Sequence, residues 1–175
     1  MIETAAKAFG SVDILICNAS VRAQKSFQEI TVEEWHHTIA VTLNGAFFCA
    51  RAAAPFMIKN RWGRIIGLGG MSSNLGMAKR LHVLAAKAGL VGIIRGLATE
   101  LAPHNITCNI VAPGHIETDR PKSAGPRPSA GTSPPINRLG DVEEIAGMIH
   151  YLCLPEADYI TGQTMHVNGG VYYGV

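Results

Sequence analysis

The sequence predicts an α/β domain built around a parallel sheet. Short, continuous, β-rich apolar runs at 12–20, 64–68, 106–112 and 165–167 have the form of strands covered on both faces, as parallel strands are. Segments of helical composition separate them, the alternation that a parallel arrangement requires. Local signals punctuate the helices: capping-box patterns at Thr31-x-x-Glu34 and Asp141-x-x-Glu144, a stop at Gly10 and a terminating Pro103.

A chain of 175 residues that is 47% hydrophobic fits one domain over 1–175 with a sizeable core. The net charge is +2 and no Lys/Arg run is long, so no nucleic-acid surface is expected. Cys17, Cys49, Cys108 and Cys153 lie far apart inside apolar runs, the usage of reduced thiols in a cytoplasmic protein, and show no zinc spacing. The seven histidines form no HExxH or Cys/His cluster, so no metal is expected and His36-His37 is read as surface. MIETAAKAFG contains Glu3 and Lys7 and no apolar core, unlike a signal peptide. No uninterrupted apolar run approaches the ~18 residues of a membrane span, and none is expected.

Residues 2–9 read as a helix ending at Gly10, and VDILICNAS at 12–20 as the first strand. The helix after Thr31 carries Trp35, Ile39, Leu43 and Ala46 or Phe47 on one face, then Ala50, Ala53 and Ala54; Pro55 predicts a kink or an end near Met57. The strand at 64–68 leads through a loop into a long helix. Ala85, Ala86, Ala88, Gly89, Gly92 and Gly96 give that helix a narrow surface for close packing. The strand at 106–112 runs into Pro113-Gly114-His115-Ile116-Glu117-Thr118, a rigid turn with His115 expected to be exposed. Five prolines and two glycines over 119–137 predict a mobile loop. After Asp141 a helix presents Ile145, Met148, Ile149 and Leu152 as one stripe, and Tyr159-Ile160-Thr161-Gly162-Gln163 leads to the last strand and Asn168-Gly169-Gly170.

Several of these motifs resemble those of the short-chain dehydrogenase/reductases. Cys17-Asn18-Ala19-Ser20 is similar to that family's Asn-Asn-Ala-Gly turn, AAKAGL contains its Lys at Lys87, Pro113 to Thr118 matches P-G-x-I-x-T, and the ending is similar to I-T-G-Q-x-x-x-V-D-G-G, with Asn168 for the usual Asp. The resemblance implies the C-terminal portion of a Rossmann-like, doubly wound parallel sheet, about four strands with flanking helices. It implies descent from NAD- or NADP-dependent oxidoreductases acting on carbonyl or alcohol groups such as 3-oxoacyl esters or sugars. Asn18 and Ala19 would lie beside the adenine-side ribose, Lys87 would serve both catalysis and the cofactor, and Pro113, Gly114, Ile116 and Thr118 would meet the nicotinamide. The loop at 119–137 would be a substrate lid over an unidentified small molecule. The C-terminal ending packs subunits in relatives, implying a homo-oligomer.

The departures from the family pattern fall on its chemistry. Without gaps, Val83 occupies the place of the catalytic Tyr in Tyr-x-x-x-Lys, and Gly70 that of the catalytic Ser; Gly76 supports this register. A three-residue gap would bring Ser73 to the Ser position and would not restore the Tyr. Reduction of a carbonyl needs a proton donor at the developing alkoxide, and valine has no proton to give; a positioned acid is worth about 10²–10⁴ in rate. In Val41-Thr42-Leu43-Asn44-Gly45, Thr42 stands where the family has its catalytic Asn. Asn44 is displaced by two positions, a rotation of about 200°. Ser20 replaces a glycine. His82 and Lys79 are conceivable stand-ins and are read as solvated residues at a helix start.

The chain opens inside what resembles a family helix. The preceding strand and the Gly-rich pyrophosphate turn are therefore expected to be absent, nicotinamide binding to be poor, and the strand after residue 12 to form a bare apolar edge prone to self-association. Three readings follow: a short-chain oxidoreductase by descent with weak or no activity, a non-catalytic structural or regulatory subunit, and a Lys87-dependent enzyme without hydride transfer. Family identity favours the first and the residues favour the second.

Overall fold

The computed structural model describes residues 1–119 and 133–174. Most of the Pro/Gly-rich loop expected at 119–137 therefore lies outside the described residues.

Four strands, β1 (Ile14–Cys17), β2 (Gly63–Leu68), β3 (Ile106–Pro113) and β4 (Thr164–Val167), form one sheet in the order β1-β2-β3-β4. All three pairings are parallel, with Ile14 opposite Arg64, Gly63 opposite Ile106 and Ile110 opposite Thr164. This is the contiguous α/β sheet that the sequence implies. Alternation along the strands divides the core. Leu15, Ile65, Cys108 and Ile110 pack with Ala53, Met57, Leu90 and Ile94 on one face, whereas Ile66, Leu68 and Val111 pack with Ile145 and Leu152 on the other.

α1 (Ile2–Phe9) ends at Gly10 with φ 85°, the left-handed cap that glycine adopts without strain. α2 (Val32–Ile39) starts at the Thr31 capping box, in which Thr31 Oγ1 accepts from the Glu34 amide at 3.2 Å and the Glu34 carboxylate accepts from the Thr31 amide at 3.1 Å. A π-helical turn, Ala40–Asn44, then joins α2 to α3 (Gly45–Asn60). The break expected at Pro55 does not occur. Pro55 lies on an exposed face, where water can serve the carbonyl that loses its helical donor, and α3 runs on to Asn60.

The long helix is preceded by a short one, α4 (Ser72–Leu75), and α5 itself spans Leu81–Leu101, with Pro103 in the following 3-10 turn. Lys79, at φ 61°, lies outside α5 and does not share the face of Val83 and Lys87. Of the small residues, Ala86 is fully buried and Gly89 lies against Leu43, where a Cβ would come within 3.0 Å; Gly92 and Gly96 have open space beside them. α6 (Val142–Cys153) starts at the Asp141 capping box and buries Ile145 and Leu152.

β1 lies at the edge of the sheet, as expected for the strand after residue 12, but it is shorter than 12–20, and Ile14 and Ile16 are 45% and 37% exposed rather than covered on both faces. Its outer edge has no neighbour among the described residues, and α6 packs on β2, β3 and β4. The helical stretches Val32–Asn60 and Leu81–His104 are long and apolar enough to cross a membrane, although no uninterrupted apolar run is; in this fold both lie on the sheet.

Candidate active site

Because every strand points the same way, the C-terminal ends of β1, β2 and β3 come together, the place where open α/β sheets form their ligand crevice. Asn18 and Ala19 follow β1 and are exposed; Gly69, Gly70 and Met71 follow β2; Gly114 to Thr118 follow β3. Backbone bonds tie these segments together, with Gly69 N donating to Val111 O at 2.8 Å and Met71 N to Pro113 O at 3.3 Å.

α5 brings Lys87 to this end. Lys87 is 6% exposed, and its ammonium donates to the Leu68 carbonyl. Burial pulls its pKa down to about 8, with Arg22 acting in the same direction and Cys17 opposing. The Cys17 thiol, at the end of β1, is pushed up to about 11 by burial and by Cys49. One turn before Lys87, Val83 is buried and supplies only methyl groups where the resemblance calls for a phenol. Gly70 does not lack a hydroxyl for want of room: a Cβ there would meet nothing closer than Ser72 Oγ at 3.9 Å. Ser73 donates its hydroxyl to the Gly70 carbonyl at 2.7 Å, a bond within its own turn.

The Asn substitute sits in the π-helical turn, a feature often found at functional sites. Thr42 is buried, its hydroxyl is 3.3 Å from Ser20 Oγ, and it accepts from the Val21 amide at 3.4 Å. Two positions that depart from the family pattern thus bond to each other. Asn44 is exposed, as its 200° displacement predicts.

His82 corrects the sequence reading. It is 1% exposed rather than solvated, because α2 packs over the start of α5. Its Nδ1 has no hydrogen-bond partner, and burial lowers its pKa, with Arg80 and Lys25 adding to that effect and Glu34 opposing it. A neutral imidazole among those groups is a poor replacement acid for the Lys87 end. His115, expected to be exposed, is half-buried: its carbonyl accepts from Gly140 N at 2.9 Å.

The Pro113–Thr118 segment is held from below. Gly114 donates to the Val167 carbonyl at 2.9 Å, and a Cβ on it would lie 2.5 Å from the Asn168 Cα, so this position requires glycine for close approach. Ile116 bridges Gly140, and Thr118 is exposed. Neither the burial of His82 nor the Ser20–Thr42 contact has a local sequence signal, since both depend on segments that meet only through the fold.

The family described as Enoyl-(Acyl carrier protein) reductase matches residues 1–172. The chain belongs to the short-chain dehydrogenase/reductase family. It is 40% identical to the 3-oxoacyl-[acyl-carrier-protein] reductase FabG of Salmonella typhimurium over 174 residues, covering 98% of this chain and 71% of the relative. It is 41% identical to the FabG of Vibrio cholerae over 166 residues, covering 94% and 68%. A solved structure, a putative oxidoreductase from Escherichia coli K-12, superimposes with a TM-score of 0.85 at 34% identity, over 97% of this chain and 67% of that one. The short-chain oxidoreductase affiliation and the Rossmann-like sheet are thereby established together.

Proposed function

We propose that this chain keeps the architecture of a 3-oxoacyl-type reductase, performs little or no carbonyl reduction on its own, and acts as a non-catalytic subunit of a homo-oligomer. The observation that carries this reading is Val83, buried one turn before Lys87, with Gly70 in place of a serine. Neither of these two residues has a proton to deliver to an alkoxide.

Asn18, Ala19, Pro113, Gly114, Ile116 and Thr118 stand at the crevice where the resemblance puts NAD or NADP. Lys87, which would complete that site, spends one of its three ammonium donors on the Leu68 carbonyl, and the Gly-rich pyrophosphate turn of the resemblance has no counterpart in the sequence, which supports weak cofactor binding. Exposed Phe47 and Phe48 on α3, with the open Gly92 and Gly96 on α5, support association between copies. A second reading, a Lys87-dependent reaction without hydride transfer, draws on the lowered Lys87 pKa of about 8, which leaves part of the amine neutral near physiological pH.

The test is turnover of a short 3-oxoacyl thioester with NADH or NADPH, alongside thermal melts with each nucleotide. A ligand at 100 times its Kd stabilises by about 2.7 kcal/mol. The expected result is no turnover above background and no shift of the melt. Turnover in the ordinary range of about 1–10³ s⁻¹ would overturn the proposal. Lys87→Ala separates the two readings: under the first it alters stability alone, and under the second it abolishes whatever non-redox activity the chain has.

A further inference from the structure

At the opposite end of the sheet, the starts of β2 and β3 enclose a polar cavity of about 280 Å³ lined by Trp62, Arg64, Asn105, Thr107, Asp158 and Thr161. We propose that this cavity binds a small organic carboxylate on the Arg64 guanidinium, apart from the crevice at the strand C-termini.

Arg64 is 1% exposed, an unusual place for a cation. Its guanidinium lies 4.4 Å above the Trp62 ring, Nη1 donates to the Gly63 carbonyl at 3.0 Å, and Nη2 meets the Asp158 carboxylate. The Nε–H donor is buried and has no partner. A buried donor left unmet costs about 1–3 kcal/mol, more for a charged group, so the site favours an acceptor that reaches it.

Nε and Nη2 form one edge of the planar guanidinium, the fork that a carboxylate grips with two oxygens. Asp158 occupies only the Nη2 half of that fork with Oδ1, and its side chain is 63% exposed. It can therefore withdraw into solvent and leave the whole fork to an incoming carboxylate. The surroundings suit an anion that carries an apolar group. Trp62 offers a ring wall, and Asn105, Thr107 and Thr161 add polar side chains to the lining. A planar acid matches this donor edge better than a spherical anion does.

The experiment is a titration of the full chain with benzoate, followed through arginine Nε–H resonances by NMR, with chloride and phosphate at matched ionic strength as controls. Arg64 is identified by its ring-current shift, which Trp62→Leu removes. The expected result is a saturable movement of the Arg64 resonance with benzoate alone, and binding several-fold tighter in Asp158→Ala, which removes the Oδ1 acceptor from Nη2 at a side chain that is 63% exposed and so leaves the core filled. No movement at millimolar benzoate, an equal response to chloride or phosphate, or an Asp158→Ala chain that binds no more tightly would each overturn the proposal.

Discussion

β1 and β3 carry similar apolar sequences, ILIC and ITCNIVAP, and bury them differently. Ile106 to Ala112 are all buried, because β3 pairs with β2 and β4 and is covered by α5 on one face and α6 on the other. Among the described residues β1 pairs with β2 alone, has α3 beneath it, and leaves Ile14 and Ile16 in contact with solvent. Apolarity makes both segments strands. What then determines burial is the number of neighbouring elements, a property of the whole sheet. The contrast also marks where this chain is vulnerable, since an apolar strand edge with no partner is a template for association.

The largest effect that this contrast predicts lies in β3. Ile110 is 1% exposed and fills the space above Gly67 and Gly69; a Cβ on either glycine would come within 2.7 Å of it. Ile110→Ala removes three carbons from a site whose walls are a rigid sheet and α5, and should destabilise the chain by about 2–5 kcal/mol in urea unfolding at unchanged m-value. A loss below about 1 kcal/mol would mean that β3 is not the packed centre of the fold.

Lys87 lies between the two regions, bonded to the end of β2 and electrostatically coupled to Cys17 at the end of β1. Its pKa falls from 10.5 to about 8 on folding, so below pH 8 the folded chain holds a buried charge at a penalty of about 3 kcal/mol. Between pH 8 and 10.5 the unfolded chain binds more protons than the folded one, and the Lys87 contribution raises stability as pH rises. Cys17 and Cys108, raised to about 11 and 12, act in the opposite direction above about pH 9, because the unfolded chain loses their protons first. Comparing wild type with Lys87→Met cancels Cys108, and below about pH 9, where Cys17 is protonated in both states, it leaves Lys87 as the group that titrates. The variant should gain most below pH 8 and lose that advantage by about pH 10.5, read from denaturation midpoints across the series. A difference independent of pH would show that the ammonium is not desolvated.

The parts of this fold that were legible in the sequence are those decided within a few residues. The Gly10 stop and the Thr31 and Asp141 capping boxes depend on groups three or four positions apart, and each forms as the sequence predicts. The composition of the proposed site comes from the sequence in the same way, since Val83 and Gly70 are assigned by counting from Lys87. Its geometry does not. The burial of His82 requires α2 to lie over it, the left-handed turn at Lys79 delays α5 by two residues, and the Lys87 ammonium finds its acceptor 19 residues away at Leu68. Pro55 shows the converse: a strong local breaker is harmless on an exposed helical face. For β1 the apolar run alone reads as a strand covered on both faces; the bare edge was expected only from the resemblance, and among the described residues β1 has a neighbour on one side.

The smallest effect expected is at Ile16, and it is also the most informative about the assembled state. Ile16→Thr keeps a β-branched side chain on β1 and removes apolar surface that is already 37% exposed, so stability should change by no more than about 0.5 kcal/mol. Concentration-dependent association, followed by sedimentation velocity, should decrease if the bare face contributes to it. A loss of about 2 kcal/mol, disappearing on dilution, would have a different meaning. Ile16 would then be buried between copies, and the difference between β1 and β3 would be one of which chain supplies the cover rather than whether cover exists.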